Sequence, residues 1–242
     1  MKRIFDFVTA LIGLLVLSPL LLLMMLLVFL QDMHSPFYIA KRIGKDGQPF
    51  QMVKLRSMVI NADKTGVDST AADDKRITAV GHFIRRFKLD ELMQLWNVLL
   101  GDMSLVGPRP NVDADTNRYT NQEKRILLMK PGITDMASIV FSDEGDILEG
   151  AEDPDLLYNQ IIRPYKSRLA IIYVEKSSIF LDIFLIVQTV VAIIDKETAL
   201  TNLSKKLSQL TEDKNLLEVS LRKGPLLPAP PPGSNEIVKT LD

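Results

Sequence analysis

An uncharged apolar run near the amino terminus constrains this chain more than any other feature. From Phe7 to Leu30 the sequence contains no charged residue. As a continuous helix, this run would be about 36 Å long, which is enough to cross a hydrocarbon layer of about 30 Å. A cleavable signal peptide is not favoured, because its apolar core is shorter and no small-residue cleavage site is evident here. The run therefore predicts a membrane helix.

Two topologies remain open for this helix. Ser18-Pro19 lies mid-run, and proline removes a backbone hydrogen bond and clashes with the preceding turn, so this pair predicts a break. Lys2 and Arg3 precede the run and further basic residues follow it between positions 41 and 45. Because basic flanks favour the cytoplasmic side, we predict a re-entrant helix hairpin over residues 1–33. A straight span that tolerates the proline is the alternative.

The composition excludes several other classes of function. The 242 residues carry a net charge of -1, so the chain offers no bulk polycation and we expect no nucleic-acid partner. Cysteine is absent, which excludes disulfides and cysteine-ligated zinc, and two histidines, His34 and His82, are too few for a histidine-rich metal site. A transporter or channel would need more membrane spans than this sequence predicts.

The stretch from Arg85 to Pro110 holds the residues best suited to chemistry. Asp90 and Glu91 precede apolar side chains at helical spacing, and Gly101 is placed to end that helix. We predict Asp90 at the N-cap, where free N–H groups and the helix dipole keep a carboxylate ionised. An ionised carboxylate can attack phosphorus, and its neighbour can bind a hard cation such as Mg²⁺. On these residues alone, ordinary helix capping is the favoured explanation of the pair.

Basic side chains flank this stretch on both sides. A short strand is predicted from Phe50 to Val53, and Lys54 and Arg56 would point the same way if the strand continued. They could meet phosphate oxygens, or form a solvated strand edge. The apolar and basic segment that includes Arg85 predicts either a helix on an anionic membrane surface or an ordinary amphipathic helix packed on the core.

The second half of the chain predicts helices around an acidic loop. Residues 141–155 are rich in Asp and Glu, but their spacing matches no EF-hand, so they predict a solvated loop. Residues 156–176 predict a helix. The segment from Ile179 to Ile194 is strongly apolar but short, and it contains Asp182. It therefore predicts a helix buried in the domain or lying in the membrane interface.

The segment after residue 195 has a different character. Leucines fall on the a and d positions of about three heptads, with Lys214 interrupting the pattern. These are Leu200, Leu203, Leu207, Leu210, Leu217 and Leu221. The stripe predicts either a coiled coil that forms a homodimer or a helix folded back on its own domain. Residues 223–242 are proline-rich and predict a flexible tail.

A series of motifs, in order along the chain, gives the sequence its resemblance to a known family. The most specific are Lys88-Leu89-Asp90-Glu91-Leu92, Asn97-Val98, Gly101-Asp102-Met103-Ser104 and Gly107-Pro108-Arg109-Pro110. Supporting motifs are Arg42-Ile43-Gly44, Lys54-Leu55-Arg56-Ser57-Met58, Asp74-Lys75-Arg76-Ile77-Thr78 with Gly81, and Lys130-Pro131-Gly132-Ile133-Thr134. Together with the apolar helix, they resemble the bacterial sugar transferases, the monotopic phosphoglycosyl transferases that load a sugar phosphate onto polyprenyl phosphate.

The resemblance implies a mechanism and a site. The aspartate that matches Asp90 attacks the β-phosphate of a UDP-sugar, UMP leaves, and polyprenyl phosphate takes the sugar phosphate from the covalent intermediate. The glutamate that matches Glu91 binds Mg²⁺. Arg109 has the most support among the candidate phosphate contacts, because the family's Gly-Pro-Arg-Pro arginine lines the active site. The full set of candidates is Lys54, Arg56, Arg85 and Arg109.

The resemblance also implies a fold and a location. It is a mainly α fold with a small β element, in which interfacial amphipathic helices surround a catalytic domain over residues 34–195. The domain would lie on the cytoplasmic face of the bacterial inner membrane, anchored by the re-entrant helix of residues 1–33. Residues 196–222 lie outside the shared domain, and we predict that they form a separate leucine-striped helix. The implied partners are a UDP-sugar, polyprenyl phosphate and the lipid bilayer.

Three departures from the family pattern leave the sugar open. Met93 stands where proline is common, Asp135-Met136-Ala137-Ser138 replaces a glycine-led run, and Ala170 stands where aspartate is frequent. Asp182, in contrast, matches an aspartate that the family often carries in its last helix. An inactive membrane-anchored scaffold, recruiting partners through its leucine stripe, is the alternative function. The joint presence of the acidic pair and the basic residues favours the enzyme.

Overall fold

The computed structural model describes residues 1–62 and 74–240, and its first element is one long apolar helix. Helix α1 spans Lys2–Asp32 and continues through Pro19, so the two separate arms of the predicted hairpin are not seen. The reason is local: Pro19 has no N–H for the Leu15 carbonyl, but the Ser18 hydroxyl donates to that carbonyl at 2.8 Å. Helix α1 is long and apolar enough to cross a membrane.

The two faces of α1 have different surroundings. Ala10, Leu21 and Val28 are buried against the rest of the chain, whereas Leu15 and Val16 are exposed. Because the buried positions run from the first third of the helix to its last turn, the folded domain covers one side of α1 along most of its length. The uncovered side is a continuous apolar surface of the kind that contacts lipid.

A hairpin and three short helices follow α1. Strands β1 (Phe37–Ile43) and β2 (Pro49–Leu55) pair antiparallel across a 3₁₀ turn at Lys45–Gly47. Helix α2 spans Ala79–Arg86, α3 spans Leu89–Leu92 and α4 spans Gln94–Leu100. The predicted helix after Asp90 is thus two helices, separated at Met93. Its predicted end is confirmed, because Gly101 caps α4 with a φ of 94°.

A second, parallel sheet holds the centre of the chain. Strands β3 (Ser104–Val106) and β4 (Gly132–Thr134) pair in parallel, and α5 (Asp113–Asn117) and a 3₁₀ turn at Glu123–Leu128 connect them. Gly107 and Gly132 pack backbone to backbone. A Cβ atom on Gly132 would lie 2.1 Å from the Gly107 nitrogen, so the close approach needs glycine at this position.

Helices dominate the second half of the chain. The acidic segment includes a short helix, α7 (Glu144–Ile147), and Asp143, which pairs with Lys196 and Arg222, so it is not simply a solvated loop. The other helices are α6 (Met136–Val140), α8 (Pro154–Ile161), α9 (Arg163–Lys176) and α10 (Ile179–Ile194). Helix α10 combines both predicted environments, because one face is buried while the opposite face exposes large apolar side chains. The exposed residues are Phe180, Ile183, Val187, Val190, Ile193 and Ile194.

The leucine stripe lies inside the molecule. Helices α11 (Lys196–Leu207) and α12 (Lys214–Leu221) fold back onto the domain. Leu200, Leu203 and Leu207 are buried in the main hydrophobic core together with residues of α6 and α9. Of the two interpretations of the stripe, the folded-back helix is therefore the correct one, and these buried leucines are not available to form a coiled-coil homodimer.

The proline-rich tail is docked, in contrast to the predicted flexible segment. Tyr165 donates its hydroxyl proton to the Leu227 carbonyl at 2.9 Å, and the Ala229 N–H donates to the Gln160 carbonyl at 3.0 Å. A run of prolines cannot form an α-helix, but their fixed φ lowers the entropy that an extended segment loses on ordering. The tail therefore lies as an extended strap over α8 and α9.

Candidate active site

The acidic pair meets two cations from separate parts of the chain. Asp90 and Glu91 lie in α3, and Lys54 near the end of β2 points at both, with its Nζ 3.7 Å from Asp90 Oδ2 and 3.7 Å from Glu91 Oε1. Arg109, which follows β3, donates from its guanidinium to Glu91 Oε1 at 2.5 Å. We call these four residues the carboxylate cluster. The fold therefore brings Lys54 and Arg109 into contact with Glu91, which is next to Asp90 in the chain.

The backbone before α3 adopts an unusual conformation. Lys88 has a φ of 53° and is the N-cap of α3. The prediction that Asp90 is the N-cap is therefore wrong, and Asp90 is the second residue of the helix. Left-handed backbone is costly for a residue with a side chain, and such strain is concentrated at functional sites. The turn allows the chain to change direction after α2 and to aim Asp90 and Glu91 at Lys54.

Asn97 fixes the distance between the acidic pair and β2. Its side-chain nitrogen donates to the Gln51 carbonyl at 2.6 Å, and its side-chain oxygen accepts from the Val53 N–H at 2.9 Å. A buried amide that is bonded on both sides holds α4 in one register against β2. This explains the Asn97-Val98 motif, whose purpose the sequence alone did not reveal.

Arg109 is positioned by the parallel sheet. The Gly107 N–H donates to the Thr134 carbonyl at 3.1 Å, and the Gly132 N–H donates to the Pro108 carbonyl at 2.9 Å. Prolines on both sides of Arg109 restrict its backbone. The two motifs that contain these glycines therefore act together, one presenting the arginine and the other anchoring the turn that presents it.

Burial and the charges within the cluster shift the pKa values of the two carboxylates in opposite directions. Burial raises the pKa of Asp90, and the adjacent Glu91 acts in the same direction against the opposing charges of Lys54 and Arg85. Burial would also raise the pKa of Glu91, but Arg109 and Lys54 outweigh it and hold that pKa well below its usual range. Glu91 is thus firmly ionised. Asp90 binds a proton more tightly than the sequence-based expectation for an N-cap carboxylate.

The structure separates Arg56 from the carboxylate cluster. Strand β2 ends at Leu55, so Lys54 and Arg56 do not share the face on which the sequence placed them. The Arg56 guanidinium forms a bidentate ion pair with Asp32 at the end of α1. Its contact with phosphate stays a prediction, and what the structure adds is a bond between α1 and the domain. Arg85 lies close enough to Asp90 for its charge to lower that pKa, without a direct ion pair within the described ranges.

Sequence reasoning missed two cations near the site. Burial lowers the pKa of Lys88, on which the charges of Glu91, Arg109, Asp90 and Lys166 also act, so this lysine lies within electrostatic reach of the cluster. Lys166 in α9 forms an ion pair with Glu144. Lys88 could have been found from its place two residues before Asp90, whereas Lys166 carries no local signal.

The donor set around Glu91 fits a cation that is shared with a substrate. In the part of the chain that the structure describes, no group of three or more His, Cys, Asp or Glu side chains forms a protein-only metal site. Mg²⁺ is usually held by one or two carboxylates together with waters and substrate phosphates. Two adjacent carboxylates, Glu91 and Asp90, meet that requirement. The residues present therefore fit Mg²⁺ bound together with a phosphate.

Comparison with known families matches this architecture. The family model described as bacterial sugar transferase matches residues 1–196, which include α1, both sheets and the carboxylate cluster. The chain belongs to the bacterial sugar transferase family. Helix α11 beyond its first residue, helix α12 and the docked tail lie outside the matched region.

Curated relatives of this bacterial sugar transferase carry related names. It is 34% identical over 209 residues to the "Exopolysaccharide production protein ExoY" of Sinorhizobium fredii, covering 79% of this chain and 84% of the relative. It is 44% identical over 121 residues to the "Putative undecaprenyl-phosphate N-acetylgalactosaminyl 1-phosphate transferase" of Bacillus subtilis, covering 50% of this chain and 68% of the relative.

Other relatives are much longer than the matched region. The match to the "UDP-glucose:undecaprenyl-phosphate glucose-1-phosphate transferase" of Escherichia coli is 40% identical over 156 residues, covering 63% of this chain but 34% of the relative. The chain thus spans about a third of some relatives and most of others. The sugars in these names also differ, so family membership alone does not select one.

Proposed function

We propose that the protein transfers a sugar 1-phosphate from a UDP-sugar to polyprenyl phosphate, giving polyprenyl-diphosphate-sugar and UMP. The observation that carries this proposal is the carboxylate cluster in a member of this family: one carboxylate with a raised pKa, one firmly ionised carboxylate, and two cations within contact. Phosphoryl transfer depends mainly on positioning and on neutralising charge. The cluster supplies a nucleophile together with cations for both tasks.

Asp90 is the proposed nucleophile. Its carboxylate oxygen attacks the β-phosphorus of the UDP-sugar, so a bond forms between that oxygen and phosphorus while the bond to the bridging oxygen breaks. UMP leaves and keeps the oxygen that bridged its phosphate to the β-phosphorus. A phosphate oxygen of polyprenyl phosphate then attacks the same phosphorus, and the bond to Asp90 breaks, which regenerates the carboxylate. No oxidant or reductant is needed, and splitting the transfer into two displacements is the usual role of a covalent nucleophile.

The remaining members of the cluster hold and neutralise phosphate. Lys54 is positioned to keep Asp90 ionised and to contact the transferred phosphate. Arg109 can share its fork of donors between Glu91 and a phosphate oxygen, since guanidinium groups bind both in a bidentate manner. Mg²⁺ held by Glu91 would supply further neutralisation of the phosphate oxygens when bound.

A membrane location agrees with where the two substrates are found. A UDP-sugar is soluble and polyprenyl phosphate lies in lipid, so their common site must lie at the interface. We propose that α1, as one helix bent at Ser18-Pro19, keeps both of its ends on the cytoplasmic face of the bacterial inner membrane. Contacts at both ends support this: Lys2 bonds to Asp182 and Asp32 to Arg56, so the same domain holds both ends of the helix. A straight span would carry one end to the far side.

The absence of cysteine makes this topology directly testable. Cysteine introduced at residue 2 or at residue 45 would be the single reactive thiol in each variant. We expect an impermeant maleimide to label both variants in inverted membrane vesicles and neither in intact spheroplasts. Labelling of the two positions from opposite sides would refute the re-entrant topology.

The activity is tested by UMP release from the protein in nanodiscs with undecaprenyl phosphate, Mg²⁺ and a panel of UDP-sugars. We expect strong release with one sugar or a few, dependent on the acceptor lipid. If a folded protein releases no UMP with any sugar of the panel, the inactive scaffold is favoured instead. The buried leucine stripe already weakens that alternative, because the surface it requires for recruitment is used inside the core.

A further inference from the structure

A cavity of about 170 Å³ lies between α2, α6 and α10, beside the carboxylate cluster. We call it the α2–α10 cavity. Its lining includes Arg86, Lys88, Ser138, Ser142, Thr189 and Ile193. None of the residues of the described chain that line it is acidic. Its chemistry is therefore that of a site for an anion.

The two cations of this cavity are available for a ligand. Across residues 1–62 and 74–240, the side chains of Arg86 and Lys88 form no hydrogen bond or ion pair, and the Arg86 guanidinium lies 5.6 Å from the centre of the Phe87 ring. Lys88 is half-buried whereas Arg86 is exposed, and a lysine that is partly withdrawn from water usually pairs with a carboxylate or a phosphate. Ser142 adds a hydroxyl without a hydrogen bond of its own in the described chain. These groups together match the oxygens of a phosphate monoester.

The opposite wall of the cavity is apolar and belongs to the lipid-facing helix. Ala192 and Ile193 in the last turn of α10 line it, and Ile193 is itself 47% exposed. From this wall the exposed apolar face of α10 extends over Val190, Val187 and Ile183. A ligand that fits both walls carries a phosphate at one end and hydrocarbon at the other. Hydrocarbon gains more from burial on this wall than the polar edges of a nucleotide would.

The position of the cavity relative to Asp90 suits the second displacement. Lys88 lines the cavity and lies two residues before Asp90, whose charge acts on it. On the other side of Ser138 lies a second, smaller cavity that is lined by Arg109 and Lys166. Among the described residues, Ser138 thus lies between a phosphate-compatible cavity with a lipid-facing wall and a different cavity on the side of Arg109.

We propose that the α2–α10 cavity binds the phosphate of the polyprenyl phosphate acceptor, with Arg86 and Lys88 contacting its oxygens and the isoprenoid chain leaving along α10. This inference rests on the proposed function, of which it specifies the acceptor site. It assigns the acceptor's binding residues to α2, to the N-cap of α3 and to α10, apart from the carboxylate cluster, which acts on the donor.

The test is a steady-state analysis of Arg86→Gln and Ala192→Phe in nanodiscs. The first variant removes a cation and the second fills the cavity without altering charge, so a shared effect cannot come from electrostatics alone. We expect each to raise the KM for undecaprenyl phosphate about tenfold or more. The KM for the UDP-sugar should stay within about twofold of the wild-type value. Lys205→Gln, on the exposed surface of α11, is the matched control and should change neither.

Two half-reactions separate this inference from the proposed function. Release of UMP in a single turnover without acceptor measures attack by Asp90, and it should be unchanged in both variants. If the wild type releases no UMP under any condition, the proposed function itself fails. If the wild type is active and both variants keep the wild-type KM for the acceptor, the acceptor site is elsewhere. A rise in the UDP-sugar KM would assign the cavity to the donor and overturn the proposal.

A third arm distinguishes the acceptor from an ordinary anionic lipid. The acceptor KM is measured in nanodiscs of phosphatidylcholine alone and in nanodiscs that contain phosphatidylglycerol. A site for the acceptor predicts the same loss in Arg86→Gln in both compositions. If the loss appears with phosphatidylglycerol alone, Arg86 serves a phospholipid headgroup and the proposal is wrong.

Discussion

The carboxylate cluster and the cluster around Asp182 each join an aspartate to a lysine, but their surroundings differ. Asp182 is 1% exposed and accepts from Lys2 at 2.5 Å and from the Tyr173 hydroxyl at 2.5 Å, and both donors also contact the Val106 carbonyl. Asp90 has Lys54 at 3.7 Å, which is beyond hydrogen-bond distance. The cluster around Asp182 is closed, because its donors and acceptors are paired with one another. The carboxylate cluster is open at Asp90 and Lys54, which lie near each other without a hydrogen bond, although Arg109 is bonded to Glu91.

This difference separates a structural cluster from a chemical one. A closed network gains its stability from complete pairing and loses it when one member is removed. An open cluster retains charge that a ligand can pair with. The closed cluster also joins α1 to α10 through β3, since Lys2, Asp182 and Val106 come from these three elements. We therefore expect Asp182 to matter for folding and Asp90 for turnover, and the following predictions test that division.

The largest effect is expected from Asp90→Asn. The amide keeps the shape of the side chain but cannot form the covalent bond to phosphorus, so turnover should fall about 10³-fold or more. The melting temperature should change by less than about 2 °C, because Asp90 has no short hydrogen bond to lose. Acceptor-dependent UMP release and a thermal scan measure the two quantities. Asp46→Asn, in an exposed turn, is the control, and turnover by Asp90→Asn within tenfold of the wild type would exclude covalent attack by this residue.

Asp182→Asn should show the opposite pattern. Removing one partner of a buried ion pair destabilises proteins by about 3–5 kcal/mol, and we expect about 2–4 kcal/mol here because Lys2 is partly exposed and can regain water. The measurement is the melting temperature in detergent, with kcat determined below the transition. The folded fraction should keep its kcat to within about twofold. A normal melting temperature with a large loss of kcat would move Asp182 into the catalytic machinery.

The division between these clusters shows what could be predicted from sequence. Asp90, Glu91 and Arg109 lie in local motifs, and Gly101 ends its helix as a local rule requires, so these features were predictable. The separation of Lys54 from Arg56 was not, because it depends on where β2 ends and on Asp32, which lies 24 residues earlier in the chain. Local reasoning fails where a contact joins distant segments.

The docked tail and the continuous α1 illustrate two different failures. Tyr165 captures the tail through the Leu227 carbonyl across 62 residues, and no composition rule contains such a contact. The helix continues past Pro19 for a local reason that the general rule for proline does not include: the Ser18 hydroxyl donates to the Leu15 carbonyl, which the proline leaves without a donor. The second kind of error can be corrected by closer attention to residues beside proline, and the first cannot.

Glu91→Gln should produce an intermediate loss within the open cluster. Glutamine keeps a hydrogen-bond acceptor for Arg109 but removes the ionised oxygen, so a cation held there would bind more weakly. We expect a fall in kcat of about 10- to 10³-fold and a Mg²⁺ titration that shifts to at least about tenfold higher concentration. Glu197→Gln, in the first turn of α11, is the control. An unchanged Mg²⁺ titration with reduced kcat would show that Glu91 acts through Arg109 alone.

The smallest effect, and the finest test of the open cluster, is a change in pH dependence in Lys54→Gln. Burial raises the pKa of Asp90, while Lys54, Arg85 and Arg109 oppose that rise. Asp90 must be deprotonated to attack, so the rate should fall as the pH drops through its pKa. Glu91 stays ionised across this range, because Arg109 and Lys54 hold its pKa well below normal.

Removing the charge of Lys54 should raise the pKa of Asp90 further and move the acid limb of kcat/KM to higher pH. We expect a loss of about three- to tenfold at pH 6 that is smaller at pH 8. Lys54→Arg, which keeps the charge, should leave the limb in place, and a loss in Lys54→Gln that is equal at both pH values would mean that Lys54 contacts phosphate without tuning Asp90.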